Sequence, residues 1–368
     1  MAVPHYKGVA RIKEMNPPDL IGSFLQMKAI AATFLAAMTL GAMSQSAAAQ
    51  AGSKTLDLIK QKGALTCGTN TGLAGFGLPD DKGNWTGLDV DLCKGIAAAI
   101  FNDPTKVKYI PLSAKDRFTA LQSGEIDVLA RNGTWTQSRE AELGLLWVGV
   151  NYYDGQGFMV RKKLNIASAL ELNGASVCVQ QGTTTELNMS DFFRTKGMKY
   201  EAVAFADINE AVKAYDSGRC DAYTTDASGL YGSRLKLVNP DEHVVLPEII
   251  SKEPLGPAVR QGDDQWFNLV KWTHYAMINA EELGVTKANV DDMLKSPNPE
   301  IKRLLGVEGD FGKGLGLSKD WAYRIVKHVG NYGEVFSRNV GEGSALKIKR
   351  GLNSLWSAGG IQYAPPVR

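Results

Sequence analysis

An α/β protein built from two similar lobes is the architecture this chain predicts, and three observations carry the prediction. Its 368 residues exceed one average domain and suit two. Beyond residue 62, short apolar strands alternate with amphipathic helices, the pattern of mainly parallel sheets with crossover helices. Two short motifs recur in the same order. Gly63-Ala64-Leu65-Thr66-Cys67 is matched by Gly174-Ala175-Ser176-Val177-Cys178, and Ser123-Gly124-Glu125-Ile126-Asp127 by Ser217-Gly218-Arg219-Cys220-Asp221. Both stand in βαβ settings, so the two lobes are expected to share one plan.

The elements follow in order. Residues 64–67 form the first expected strand. Leu88, Leu92, Ile96, Ala99 and Ile100 fall at helical spacing, which predicts an amphipathic helix over 89–101. A strand over 107–110, a helix over 116–122 ended by Ser123-Gly124, and a strand over 126–130 complete the first lobe. Residues 158–161 are expected to cross into the second lobe, and Lys252-Glu253-Pro254-Leu255-Gly256-Pro257 to cross back before a helix over 266–282. The domains expected are therefore 52–158 for lobe one, 159–256 for lobe two, and 257–368 for the return to lobe one and a helical extension. Trp321, Tyr323 and Trp356 of that extension are expected to pack on lobe one. Open α/β sheets bind ligands beyond the carboxyl ends of their strands, which places the expected site in the cleft between the lobes.

The amino terminus reads as a targeting segment. Met27-Lys28 precedes an apolar run over 29–42, and Ala47-Ala48-Ala49-Gln50 supplies an A-x-A cleavage site. That run is shorter than the roughly 20 residues a membrane span needs. A cleaved signal over 27–51, with translation starting at Met27 and 1–26 a non-native upstream extension, is the expectation. No cysteine sits at the cleavage point, so neither a lipid nor a membrane anchor is expected, and the product is expected in the periplasm.

Composition narrows the function. The formal charge is +2, and residues 1–50 hold four basic and two acidic groups, leaving 37 of each sign in the rest. A neutral body argues against nucleic acid as partner, which needs a clustered basic surface. All four cysteines follow the signal: Cys67, Cys93, Cys178 and Cys220. In an exported chain an even number suggests disulfides, and four allow three connectivities. No C-x-x-C or His pairing appears, so no metal is expected. Residues 70–76 are Gly-rich but lack G-x-G-x-x-G and its downstream acid, so no dinucleotide or other cofactor is expected.

Four places suit a small zwitterion. Residues 128–139 run from a strand through a Gly-containing loop into a helix with Arg139 in its first turn. An amino-terminal turn favours anions, so an Arg there is out of place unless it faces a bound carboxylate, which it can grip bidentately. The alternative is a solvated surface Arg. Gln181-Gly182-Thr183-Thr184-Thr185-Glu186 opens a helix with free N–H groups, although Thr183 and Glu186 also read as a plain capping box. Ala222-Tyr223-Thr224-Thr225-Asp226 ends a strand in a carboxylate that can accept from an ammonium group, or that caps a helix over 227–234. The Gly-rich loop carries Leu73 and Phe76, apolar cover for a ligand stem.

These segments together resemble the polar amino-acid periplasmic binding proteins, type II solute-binding proteins with two crossing strands. Within them the chain is most similar to the general L-amino acid subgroup of alphaproteobacterial ABC transporters. The resemblance rests on Gly68-Thr69-Asn70, Trp85-Thr86-Gly87-Leu88-Asp89-Val90-Asp91-Leu92, and residues 127–139, 181–186 and 221–226. The general pattern covers about residues 54–285, and the tail over 311–366 resembles the subgroup alone. It implies that Arg139 clamps the ligand carboxylate, assisted by Thr134, Thr184 and Thr183. Asp226 would receive the ammonium together with the carbonyl near Asn132, and Leu73 and Phe76 would line the side-chain pocket. Leu73 and Ala114 stand where family members often place stacking aromatics, which implies a permissive pocket. The pairing expected within the resemblance is Cys67–Cys93 and Cys178–Cys220, each inside one lobe. The implied partners are free L-amino acids and inner-membrane ABC permease subunits, with the chain acting as a monomer. The rival reading is a dehydratase of the prephenate or arogenate class on the same fold. It would need an acid placed for proton transfer, and no Ser-His-Asp, Cys-His or metal set is visible.

Overall fold

The computed structural model describes residues 52–368; the expected upstream extension and export signal lie outside the described residues. Ser53 starts the first helix, α1 (Lys54–Lys62), by accepting from the amide of Leu56, and Gly63 ends it in a left-handed turn. Then come β1 (Leu65–Asn70), the short antiparallel pair β2 (Leu78–Pro79) and β3 (Trp85–Thr86), α2 (Leu88–Phe101), β4 (Val107–Leu112), α3 (Arg117–Ser123), β5 (Val128–Leu129), α4 (Gln137–Leu143) and β6 (Leu145–Trp147). A crossing strand, β7 (Tyr152–Asp154), leads to β8 (Gln156–Arg161), β9 (Ala175–Gln180), α5 (Thr184–Thr195), β10 (Tyr200–Phe205), α6 (Ile208–Asp216), β11 (Ala222–Asp226), α7 (Ala227–Arg234) and β12 (His243–Val245). The chain returns through β13 (Glu253–Leu255) to β14 (Ala258–Arg260) and α8 (Asp264–Glu282), and ends with α9 (Val290–Met293), α10 (Pro299–Leu304), α11 (Trp321–His328) and α12 (Tyr332–Asn339) before irregular chain.

Both five-stranded sheets have one plan. Their orders are β4-β1-β5-β14-β6 and β10-β9-β11-β8-β12. In each, three parallel strands come first and the fourth strand runs antiparallel to its neighbours. The shared motif has a structural reason. Asp127 accepts the amide of Thr66 at 2.8 Å, and Asp221 accepts that of Ser176 at 2.9 Å. Each carboxylate ties the start of the third parallel strand to the first. This bond also corrects the motif alignment. Thr66 and Ser176 are equivalent, so Cys67 and Cys178 stand one residue out of step. Because successive strand side chains alternate faces, the two cysteines leave opposite sides of their sheets. Cys67 bonds Cys93 on α2, and Cys178 bonds Cys220 in the turn before β11, the pairing expected.

The first crossing differs from expectation. Residues 158–161 lie inside β8, within the second sheet, and the crossing is β7, paired antiparallel with β13. A fully buried apolar run reads the same in a crossing as in a sheet interior, which is why the sequence placed it late. In the extension, α11 and α12 pack against α2 and α8. Trp321 is buried and Tyr323 half-buried, whereas Trp356 is about half exposed, its indole N–H donating to Glu282.

Candidate functional site

The lobes meet across the cleft. Thr71 of lobe one donates to Asp207 of lobe two at 3.2 Å, Lys236 of lobe two donates to the carbonyl of Gly72, and Thr134 and Thr184 approach within 3.2 Å. Leu73 and Ala74 pack tightly on α7: a Cβ on Gly232 would lie 2.9 Å from the Ala74 carbonyl oxygen and 3.3 Å from Leu73 Cδ1, so only glycine permits that approach.

Arg139 occupies the first turn of α4, capped by Thr136. Its side chain turns back to donate to the Thr134 carbonyl at 2.8 Å and lies 5.1 Å over the Phe118 ring. Burial lowers its pKa, and the charges of Glu253 and Asp226 oppose that. The solvated-surface alternative therefore does not hold. Asp226 ends β11 and is buried. The helix after it takes no cap from Asp226; Asp154 of the crossing strand accepts from both the amide and the hydroxyl of Ser228 instead. Asp226 is thereby left facing the cleft. Burial first, then the charges of Asp154 and Glu253, push its pKa well above the ordinary value, while an Asn132 hydrogen bond and the Arg117 charge pull it down.

Asn132 has a positive φ of 34°. Its amide donates to Asp89 at 2.6 Å and its side-chain oxygen accepts from Asn70 at 2.9 Å. Asp89 also accepts from Asn151, and burial raises its pKa to about 6. Thr183 caps α5, accepting from the Glu186 amide, but Glu186 reaches the amide of Gly182, so the reciprocal half of the box is shifted by one residue. The hydroxyl of Thr183 is accounted for by that helix start. Phe76 is fully buried, its ring 5.3 Å from Tyr152 and edge-on to it, and Leu73 is buried beside it in the same apolar cluster.

Several residues escaped the sequence reading. Glu253 on β13 is buried and accepts from Thr134 at 2.6 Å, Thr184 at 2.8 Å and Asn188 at 2.6 Å, joining both lobes at the crossing. Arg117 and Arg131 are buried beside the cleft, and Arg117 Nε and Arg131 Nη2 have no protein partner. Burial lowers both pKa values, Arg131 to about 10. Arg117 opens α3, so the same dipole mismatch that marked Arg139 was present and unused. The arrangement sets guanidinium groups of lobe one and a carboxylate of lobe two near enough for their charges to act on one another. Among the described residues no cluster of three or more His, Cys, Asp or Glu side chains is arranged to hold a metal, and no helix is long and apolar enough to cross a membrane.

Fold and cleft define a two-lobed type II solute-binding protein. Residues 65–288 match the bacterial extracellular solute-binding proteins, family 3, and the chain belongs to that family. It is 65% identical over 323 residues to the general L-amino acid-binding periplasmic protein AapJ of Rhizobium johnstonii, covering 87% of this chain and 95% of that protein. It is 55% identical over 335 residues to the glutamate/glutamine/aspartate/asparagine-binding protein BztA of Rhodobacter capsulatus, covering 91% and 97%. Among solved structures, a periplasmic binding protein from Brucella ovis with glutathione bound superposes with a TM-score of 0.84 at 64% identity, covering 85% of this chain and 99% of that one. The relatives at this identity are binding proteins, not enzymes.

Proposed function

We propose that this chain captures free L-amino acids of varied side chain in the periplasm and delivers them to an inner-membrane ABC permease. One observation carries the reading: Asp154 caps α7, so the Asp226 carboxylate is not drawn into the helix start, and its charge acts on Arg139 and Arg117 of lobe one. A zwitterion satisfies both sides at once, and ligands that touch both lobes select the closed arrangement. In this reading Arg139, with the backbone at Thr134 and Thr184, whose hydroxyls are taken by Glu253, holds the α-carboxylate, and Asp226 with Asn132 holds the ammonium. Leu73 covers the ligand stem. Arg117 and Arg131 carry unpaired N–H groups, which in this reading meet the ligand's side-chain end and suit carboxylate or amide tips. The names of AapJ and BztA agree with that range. Export by a signal over 27–51 and action as a monomer belong to the same proposal. The dehydratase reading draws no support from these relatives.

The Brucella ovis complex adds a second ligand class. The γ-glutamyl end of glutathione carries the same free α-amino and α-carboxylate groups, so the same site would take it.

Calorimetry against the common L-amino acids and glutathione tests the proposal. Arg139→Ala and Asp226→Ala are each expected to weaken every ligand by about 10–100-fold, since a hydrogen bond to a charged group contributes about 1.5–3 kcal/mol. Unchanged affinity in either variant would refute the site.

A further inference from the structure

The carboxyl-terminal extension reaches the crossing strand. In the β7–β13 ribbon Tyr153 stands opposite Pro254. Proline has no N–H, so this pair cannot exchange ladder hydrogen bonds, and the polar groups of Tyr153 need other partners. Asn353 supplies both: its side-chain oxygen accepts the Tyr153 amide at 2.7 Å, and its side-chain amide donates to the Tyr153 carbonyl at 3.1 Å. A primary amide used in this way mimics a neighbouring strand. The preceding residues are held similarly. Gln362 donates to the Val150 carbonyl at 3.1 Å, Tyr332 to the Asn151 carbonyl at 2.8 Å, and Phe336 stacks on Tyr152 at 6.0 Å. Four consecutive hinge residues thus each take a partner from the extension. It also supports the loop that carries Leu73, because a Cβ on Gly75 would meet Leu346 at 2.6 Å and Val340 at 2.9 Å.

We propose that Tyr332, Phe336, Asn353 and Gln362 are positioning residues that clamp the lobe-one end of the crossing strand. Lobe rotation is thereby confined to the chain beyond Tyr153, and the extension limits how far and how often the cleft opens. A held pivot leaves fewer open geometries, and the visible effect of the clamp is slower ligand escape.

The test is Asn353→Ala in the full chain. Hydrogen exchange of the peptide spanning 150–154 should quicken at least tenfold, while peptides from β1 and β9 stay protected. Small-angle scattering of the ligand-free variant should give a larger radius of gyration than wild type. Dissociation of L-glutamate should quicken about fivefold or more, with association changed less than twofold. Protection lost in proportion throughout the chain, or unchanged at 150–154, overturns the clamp. Should that variant not fold, Tyr332→Phe removes a single hydroxyl and carries the same expectations. The inference rests on lobe closure but not on ligand identity: if wild type ignores L-glutamate, the proposed function fails while the exchange and scattering arms still decide the clamp.

Discussion

Asp226 owes its availability to Asp154. A carboxylate at the start of a helix is ordinarily drawn to the free amides there. Here those amides are served from the crossing strand, so the strand-end carboxylate remains aimed at the cleft. Arg117 is its counterpart in lobe one, buried and with its Nε unmatched. Arg117→Met should weaken L-glutamate and L-glutamine by about 10–100-fold and leave L-alanine nearly unchanged, measured by calorimetry. Equal losses for all three would assign Arg117 to the shared backbone groups instead. Asp89 gives a pH signature. Its folded pKa of about 6 lies above the ordinary aspartate value of 3.8, so the folded protein binds this proton more tightly than the unfolded chain. That contribution is fully present below pH 3.8 and is lost as pH rises through about 6. Urea unfolding of wild type and Asp89→Asn at pH 4, 5 and 6 should therefore differ in slope, by about 1.4 kcal/mol per pH unit over that window.

At the scale of elements, each bridge staples one lobe: β1 to α2, and β9 to the turn before β11. The bridged cysteines are 26 and 42 residues apart, and the loop-entropy estimate is about 3–4 kcal/mol for each bridge. Cys93→Ser with Cys67→Ser should lower unfolding stability by roughly that amount while ligand affinity changes little, since neither cysteine faces the cleft; a combined denaturation and calorimetry experiment checks both halves. The elements also show what sequence can and cannot reveal. The repeat was legible because Asp127 and Asp221 perform one task in both lobes, and local patterns follow local tasks. Arg139 was legible because its helix position contradicts the dipole. Glu253 was not, since a lone Glu beside Pro254 resembles any surface charge until Thr134, Thr184 and Asn188 converge on it from both lobes. The crossing at β7 was missed for the same reason: what sets it is its pairing with β13, about a hundred residues later.

At the scale of the whole molecule, the shared sheet plan has a chemical consequence. Asp127 and Asp221 are equivalent, so counting five residues onward makes Asn132 and Asp226 equivalent as well. They lie close enough across the cleft for Asn132 to pull the Asp226 pKa down. Two identical subunits related by a twofold axis would have to present the same residue from both sides, acid against acid or amide against amide. Covalent duplication removes that obligation. One half can keep a negative charge while its mirror position becomes a neutral donor, and a polar guest meets a pair of walls that are alike in shape and unlike in sign.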